Sequence, residues 1–538
     1  MKQKIFKVGE AFESNTCYVA DRSVYDVKAN DSFEEIDCWW TILNSGNIPL
    51  RVAFVLRNLE NVTIDLGGAK IVFHGRIMPF AVFNCKNIKF CNFSIDYDRP
   101  FFTQGTVLES ENQSVVIKIP PLYKYSIEGR DFIAEGYGWE NRTVSGDMLF
   151  RCINPDNGRP SENSGVILGL IGDNISPRPN PPLPIHHLYA EDLGDRCIRL
   201  SGLPEHFVPR VGEILAMTHE DRRKTGFLFE ECENTIIENV RLVHVGAMGI
   251  TANLCHNITL NNFSMYVDEE CPDRIISINA DSFHCFHCTG LIKAENCRFE
   301  NMLDDAINIH GNYLVAEKQT DERNILVKSK AAGLVKMKYL LPGDEIYIYN
   351  KNTQEIKAIA VVKEAQYLPG STTDIRITLK DSIDIPVEKD DIIENRRMPE
   401  IEVRNCVSKA IGGFRISSGK KVVVDNCVFE TPVHSILFSG DMNYWFENGP
   451  VKNVTIQNCI FNGCTVPIKT NCGFCPTEKE PYYHENIKVI NNEINDFRGL
   501  VMRLKNVNNI LFENNKITGI KENENPFELV NCSNVTIK

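Results

Sequence analysis

Asn234-Thr235-Ile236-Ile237-Glu238-Asn239 is followed 23 residues later by Asn257-Ile258-Thr259-Leu260-Asn261-Asn262, each a short strand-like alternation framed by two asparagines. The same frame runs from Asn87 to Asn92, Asn453 to Asn458, Asn486 to Asn491 and Asn509 to Asn514. Degenerate copies start at Asn61, Leu291, Glu400 and Lys421, and a last one begins at Asn534. Clean neighbours lie 23 or 21 residues apart, and wider gaps of 32 to 34 imply longer loops. Strand-type alternation at a period of about 20–25 residues is the mark of a β-solenoid, in which each coil buries its apolar side against the next. Asparagine suits the corners because it tolerates left-handed backbone and its amide can bond the same amide one coil away. Asn-Cys pairs such as Asn296-Cys297, Asn405-Cys406, Asn426-Cys427 and Asn458-Cys459 put a small buried thiol at a matching corner. The fold class expected is all-β, a right-handed parallel β-helix.

Two stretches interrupt the period and divide the chain. Coils are expected over 1–100, 230–312 and 398–538, with inserted β-rich, barrel-like domains over 101–229 and 313–397. The second carries strand candidates such as Glu345-Ile346-Tyr347-Ile348-Tyr349, a turn at Asn350-Lys351-Asn352, and Ile359-Ala360-Val361-Val362. In the first, the proline-rich segment Pro177 to Pro184 reads as an exposed loop. A solenoid also needs its open ends covered, which a cap or a homodimer contact could do.

The bulk properties of the 538 residues exclude several function classes. A formal net charge of −13 with no basic cluster argues against nucleic acid and anionic lipid as partners. No run of about 18 apolar residues suggests a membrane span, and the opening Met1 to Lys7 lacks the apolar core of an export signal. The nineteen cysteines sit largely in strand-like patterns and read as reduced packing residues, which favours the cytoplasm.

Aligning the coils on their apolar positions brings candidate chemistry together. An inward column of Ile250, Phe283, Ile307 and Phe414 sets the register, so the outward column holds Thr251, His284, Asn308 and Arg415. Two residues on, the same face shows Asn253, Phe286, His310 and Ser417. Asp281 and Asp305 then begin strands on adjacent coils with Asp304 alongside, within about two inter-strand steps of ~4.8 Å. Like charges that close favour one protonated carboxyl beside an ionised one, the pairing that glycoside hydrolysis uses. Other readings remain open. Asp304-Asp305 could cap a turn, the carboxylates could hold calcium, and His284 could be a satisfied structural histidine. Cys285 with Cys288, and Cys472 with Cys475, each have the spacing of half a zinc site but lie far apart along a solenoid. Trp445, in the turn Gly440-Asp441-Met442-Asn443-Tyr444-Trp445, could stack on a sugar face or simply pack.

The stretch Asn279-Ala280-Asp281, with Leu303-Asp304-Asp305-Ala306-Ile307-Asn308-Ile309-His310-Gly311, resembles glycoside hydrolase family 110. These are α-1,3-galactosidases that remove the terminal galactose of the blood group B antigen. Val72-Phe73-His74-Gly75 and Ser439-Gly440-Asp441 extend the resemblance over most of the chain. It implies an exo-acting, inverting enzyme with a galactose-terminated glycan as substrate and neither metal nor other cofactor. Asp281 would be the general acid, and Asp304 and Asp305 would hold and activate the water. From their place in the outward column and the nearby turn, His284, Asn308, His310, Arg415 and Trp445 are the candidates for binding the sugar. Inversion ordinarily needs carboxyls ~6.5–9.5 Å apart, so the side chains would have to diverge from their stacked backbone positions. A polygalacturonase-like hydrolase shares the Asn-x-Asp and Asp-Asp pattern but would want several cations, of which only Arg415 stands out. A polysaccharide lyase would favour a Lys or Arg base. A non-catalytic glycan-binding solenoid would need no carboxylates in register.

Overall fold

The computed structural model describes residues 1–538 apart from 30–33, 37–49, 143–147, 157–158, 162–165, 169–187, 206, 220–223, 268–269, 332–335, 443, 474–481 and 520–524. The proline-rich segment 177–184 therefore lies outside the described residues, as does Cys475.

Among the described residues there is no helix, and the expected parallel β-helix is borne out strand by strand. Glu233–Leu242 pairs in parallel with Lys86–Tyr97 on one side and with His256–Asn261 on the other, with Ile237 opposite Phe90 and Leu260. A second face stacks Ser264–Met265, Arg298–Glu300 and Val407–Lys409 in the same way. A third stacks Ile250–Asn253, Phe283–Phe286, the start of Asp305–Gln319, and Gly412–Ile416. Its inward column of Ile250, Phe283, Ile307 and Phe414 is fully buried, as the alternation demanded. A side chain buried so contributes roughly 1.5–3 kcal/mol, and these contributions repeat coil after coil.

The corners explain the asparagines. Asn234, Asn239, Asn257 and Asn262 have φ between 51° and 58°, the left-handed region that asparagine tolerates. Their amides form ladders: Asn257 Nδ2 donates to Asn234 Oδ1 at 2.9 Å, and Asn262 Nδ2 donates to Asn239 Oδ1 at 2.8 Å. Asn257 Oδ1 also accepts the backbone N–H of Leu291 at 2.8 Å. Asn257→Ala is therefore expected to cost about 1–3 kcal/mol, from the lost bonds and from the loss of the polar side chain that makes left-handed backbone tolerable. A urea midpoint unchanged from wild type would contradict this account of the corners.

The cysteines cap neighbouring corners. Cys406 Sγ donates to Arg404 O at 3.1 Å and Ala294 O at 3.6 Å, and Cys459 repeats the pattern with Gln457 O at 3.1 Å and Val424 O at 3.8 Å. The described cysteines are free thiols, mostly buried. Cys285 lies opposite Ala252 and Ile309 in the core, so its spacing from Cys288 belongs to packing.

The first insertion contains an antiparallel sheet that runs from Phe102–Glu111 to Ile214–Thr218, with a three-stranded sheet from Tyr125–Glu128 to Trp139–Arg142. Its end falls earlier than position 229. Phe227–Glu230 is already a coil strand, parallel to Met78–Phe83 and to Ile250–Asn253. The physical reason is aromatic packing: the Phe227 ring stacks on Phe80 at 5.1 Å, filling the inward column. The second insertion grows directly from a coil. Asp305–Gln319 begins parallel to its coil neighbours and ends antiparallel to Asn324–Ser329 and Ile392–Asn395. One continuous strand thus ties the candidate site to the second insertion.

Candidate active site

The third face carries the site, and apolar residues beside it, Met248, Ala280 and Phe286, pack in one cluster with the second insertion. Asp281, His284, Asp305, Asn308 and His310 are all nearly inaccessible, although His284, Asn308 and His310 alternate with the inward column. The expected outward column is realised, with Thr251 opposite His284, His284 opposite Asn308, and Asn308 opposite Arg415.

Asp281, Asp304 and Asp305 each bring a carboxylate oxygen within 4.8 Å of the others. The three carboxylates crowd together as the register implied, and buried polar partners hold them. Asp281 Oδ2 stands 2.9 Å from His284 Nδ1 and accepts a long bond of 3.5 Å from Asn308 Nδ2. Asp305 Oδ1 lies 3.3 Å from His434 Nε2. Burial works to raise the Asp305 pKa, yet the His434 bond and the charges of His434, Arg415 and His284 hold it below the ordinary carboxylate value. Asp305 is thus fitted to stay ionised.

Space for Asp305 comes from the next coil. Gly412 is its in-register neighbour, and a Cβ built there would fall 1.7 Å from Asp305 Oδ1. Only a residue with no side chain lets the carboxylate lie over that coil.

A second layer surrounds the carboxylates. His284 Nε2 and His310 Nε2 are 2.7 Å apart, and His310 Nδ1 donates to Gly311 O at 2.7 Å. The His284 ring stacks on Phe286 at 4.2 Å. Arg415 Nη2 donates to Ser439 Oγ at 2.9 Å, while its Nε meets Glu447 Oε2 at 2.5 Å. Burial alone would lower the Arg415 pKa, but Glu447, Asp305, Asp281 and Asp441 raise it. Trp445 packs half-buried against the apolar cluster of the second insertion, its backbone N–H held by Asp441 Oδ2 at 2.7 Å. It is therefore wall and support at once.

Two members of the site were not read from the sequence. His434 follows from the register carried one coil further, since Asp305, Gly412 and His434 lie in one row. Glu447 arrives differently, on the short strand Glu447–Asn448 that pairs antiparallel with Gly311 and Asn312. The same register places Lys469 two coils beyond Arg415, so Arg415 is not alone as a cation in the outward column.

Among the described residues, two groups have donors close enough to share an ion: His284, His310 and Glu447, and the three aspartates. The first is spoken for, because the two imidazoles share a proton between their Nε2 atoms and Glu447 faces the Arg415 guanidinium. In the second, His434 occupies Asp305 and His284 occupies Asp281. Both arrangements suit proton transfer and sugar hydroxyls better than a cation.

The buried histidines make stability depend on pH. Burial pushes His244, His287 and His484 down to about 3, His284 and His310 down to about 4, and His219 well below its ordinary value. The unfolded chain takes up protons below about pH 6.5 that the folded chain refuses, so stability falls as pH falls from there towards 4. Each histidine adds about 1.4 kcal/mol per pH unit within its window. A denaturation midpoint that stays flat from pH 7 to 4.5 would refute this.

Comparison with known proteins covers most of the chain. Residues 103–215 match the family model "GLAA-B beta-barrel domain I". The chain is 29% identical over 510 residues to α-1,3-galactosidase B of Bacteroides thetaiotaomicron, covering 92% of this chain and 79% of that protein. It is 27% identical over 525 residues to α-1,3-galactosidase A of Shewanella woodyi, covering 94% and 79%. The resemblance to α-1,3-galactosidases is therefore borne out along nearly the whole chain. Among solved structures, a polygalacturonase from Erwinia carotovora ssp. carotovora aligns over 99% of each chain at 8% identity, with a TM-score of 0.32.

Proposed function

We propose that this chain is an α-1,3-galactosidase that removes terminal α-1,3-linked galactose from glycans by single displacement. The observation that carries this reading is the convergence of Asp281, Asp304 and Asp305 within 4.8 Å, in a chain similar throughout to α-1,3-galactosidases. Asp281 gives its proton to the glycosidic oxygen as the bond to C1 breaks, and the electron pair stays with that oxygen. A water held by Asp304 and Asp305 attacks C1 and passes a proton to their carboxylates. Two adjacent carboxylates suit this task, since a pair can both orient a water and take its proton, whereas a covalent nucleophile needs only one. Arg415 and Asn308 supply donors and acceptors for galactose hydroxyls and Trp445 a partly exposed indole face, while the expected sugar-binding role of His284 and His310 gives way to the contacts that their ring nitrogens make with each other, Asp281 and Gly311 O.

A second stereochemical course, double displacement, uses carboxyl groups ~5–5.5 Å apart where inversion uses ~6.5–9.5 Å, and nearest oxygens within 4.8 Å are compatible with either spacing. The test is hydrolysis of galactosyl-α-1,3-galactose and the blood group B trisaccharide, with the first-formed anomer followed by proton NMR. Initial β-galactose supports single displacement, and initial α-galactose supports the double-displacement course. No release from either sugar by folded protein sinks the galactosidase reading. Oligogalacturonate, included because Lys469 adds a second cation to the column, would then be the next substrate.

A further inference from the structure

We propose that His284 and His310 form a hydrogen-bond relay whose fixed tautomers hold a proton on Asp281, making both of them positioning residues for the general acid. The proposal rests on the reading of Asp281 as that acid.

Hydrogen bonding fixes the direction of the relay from its far end. His310 Nδ1 lies 2.7 Å from Gly311 O, and a carbonyl only accepts, so Nδ1 carries the hydrogen. A neutral His310 then has a bare lone pair on Nε2. His284 Nε2 lies 2.7 Å from that lone pair, so the hydrogen between the two rings belongs to His284 Nε2. A neutral His284 is left with a lone pair on Nδ1, a buried nitrogen that donates to no group and lies 2.9 Å from Asp281 Oδ2. A carboxylate there would set lone pair against lone pair. A carboxylic acid instead donates to Nδ1, so the relay stabilises the protonated form of Asp281.

The surroundings keep both rings neutral. Burial is the largest influence on each and pushes both down to about 4, although Glu447, Asp304 and Asp305 pull His284 the other way and Arg415 opposes them. Glu447 also faces His310, countered by His284 and Arg415. Phe286 braces both rings, stacked on His284 and edge-on to His310 at 4.9 Å. When Asp281 turns its O–H from Nδ1 to the glycosidic oxygen, the carboxylate left behind faces a lone pair. That arrangement favours recovery of a proton from solvent before the next turnover.

The test begins with galactose release by the wild type, which settles the underlying reading separately. His310→Leu removes the acceptor for His284 Nε2, so the ring is free to carry its hydrogen on Nδ1 and donate to an Asp281 carboxylate. The expected result is a basic limb of kcat/KM shifted down by ~1 pH unit or more. At neutral pH the disaccharide should turn over ~10-fold or more slower, while an aryl galactoside with an acidic leaving group changes little. His310→Gln, whose side-chain carbonyl can still accept, should restore the limb. Parallel losses on both substrates with an unmoved limb would overturn the relay. Independently of folding in the variants, imidazole nitrogen shifts of the wild type at pH 7 should show His284 as the Nε2–H tautomer and His310 as the Nδ1–H tautomer. A doubly protonated or Nδ1–H His284 would overturn it as well.

Discussion

Asp281→Asn is expected to fold as the wild type does and to release galactose from the disaccharide roughly 10²–10⁴-fold more slowly, the span that a lost general acid usually costs. The substitution is informative because asparagine has the same shape and caps turns as well as aspartate does. If Asp281 served only its backbone, the variant would keep both its melting temperature and its activity. If it gives a proton, the amide fails at the chemical step, and kcat falls with kcat/KM while KM moves little. The loss should shrink for a leaving group acidic enough to depart unprotonated. A kcat within a few-fold of wild type on the disaccharide would remove Asp281 from the chemistry.

The reach of the sequence is set by what repeats. Ile250, Phe283, Ile307 and Phe414 could be aligned because a one-residue slip would turn every apolar side chain outward, and the outward column followed from that register. His434 lay within reach of the same reasoning, since it needed only one more coil. Glu447 did not, because it enters on an antiparallel strand after a turn, where no period applies. The crowding of the three carboxyl groups followed from the register, but what holds them did not. Stacking fixes Cα positions, while side-chain directions are set by His284, Asn308 and His434. The misplaced end of the first insertion has a related cause. Phe227-Leu228-Phe229 lacks the asparagine frame, and its membership of a coil is declared only by the rings it meets.

Gly412→Ala is expected to lower kcat by about 10²-fold while leaving the fold intact, the scale at which a misplacement near 1 Å registers. Gly412 does not need unusual backbone; it needs absence of volume. A Cβ would sit 1.7 Å from Asp305 Oδ1, 2.9 Å from its Cγ and 3.3 Å from His434 Nε2. The carboxylate, as the end of a side chain, can rotate away, and in doing so it leaves His434 and the cluster with Asp281 and Asp304. Overpacking of this kind costs about 1–3 kcal/mol in stability, well short of unfolding. The neighbouring glycine supplies the contrast. A Cβ on Gly413 would lie 2.1 Å from Ser435 O and 2.7 Å from its carbonyl carbon, backbone that cannot move without breaking the coil contact. Gly413→Ala should therefore lower the melting temperature sharply, whereas Gly412→Ala should lower turnover. Steady-state kinetics on the disaccharide and thermal melts of both variants separate these outcomes. A Gly412→Ala enzyme with wild-type kcat would mean that the position of Asp305 is not used in the reaction, and the water-activating role would then fall to Asp304 alone.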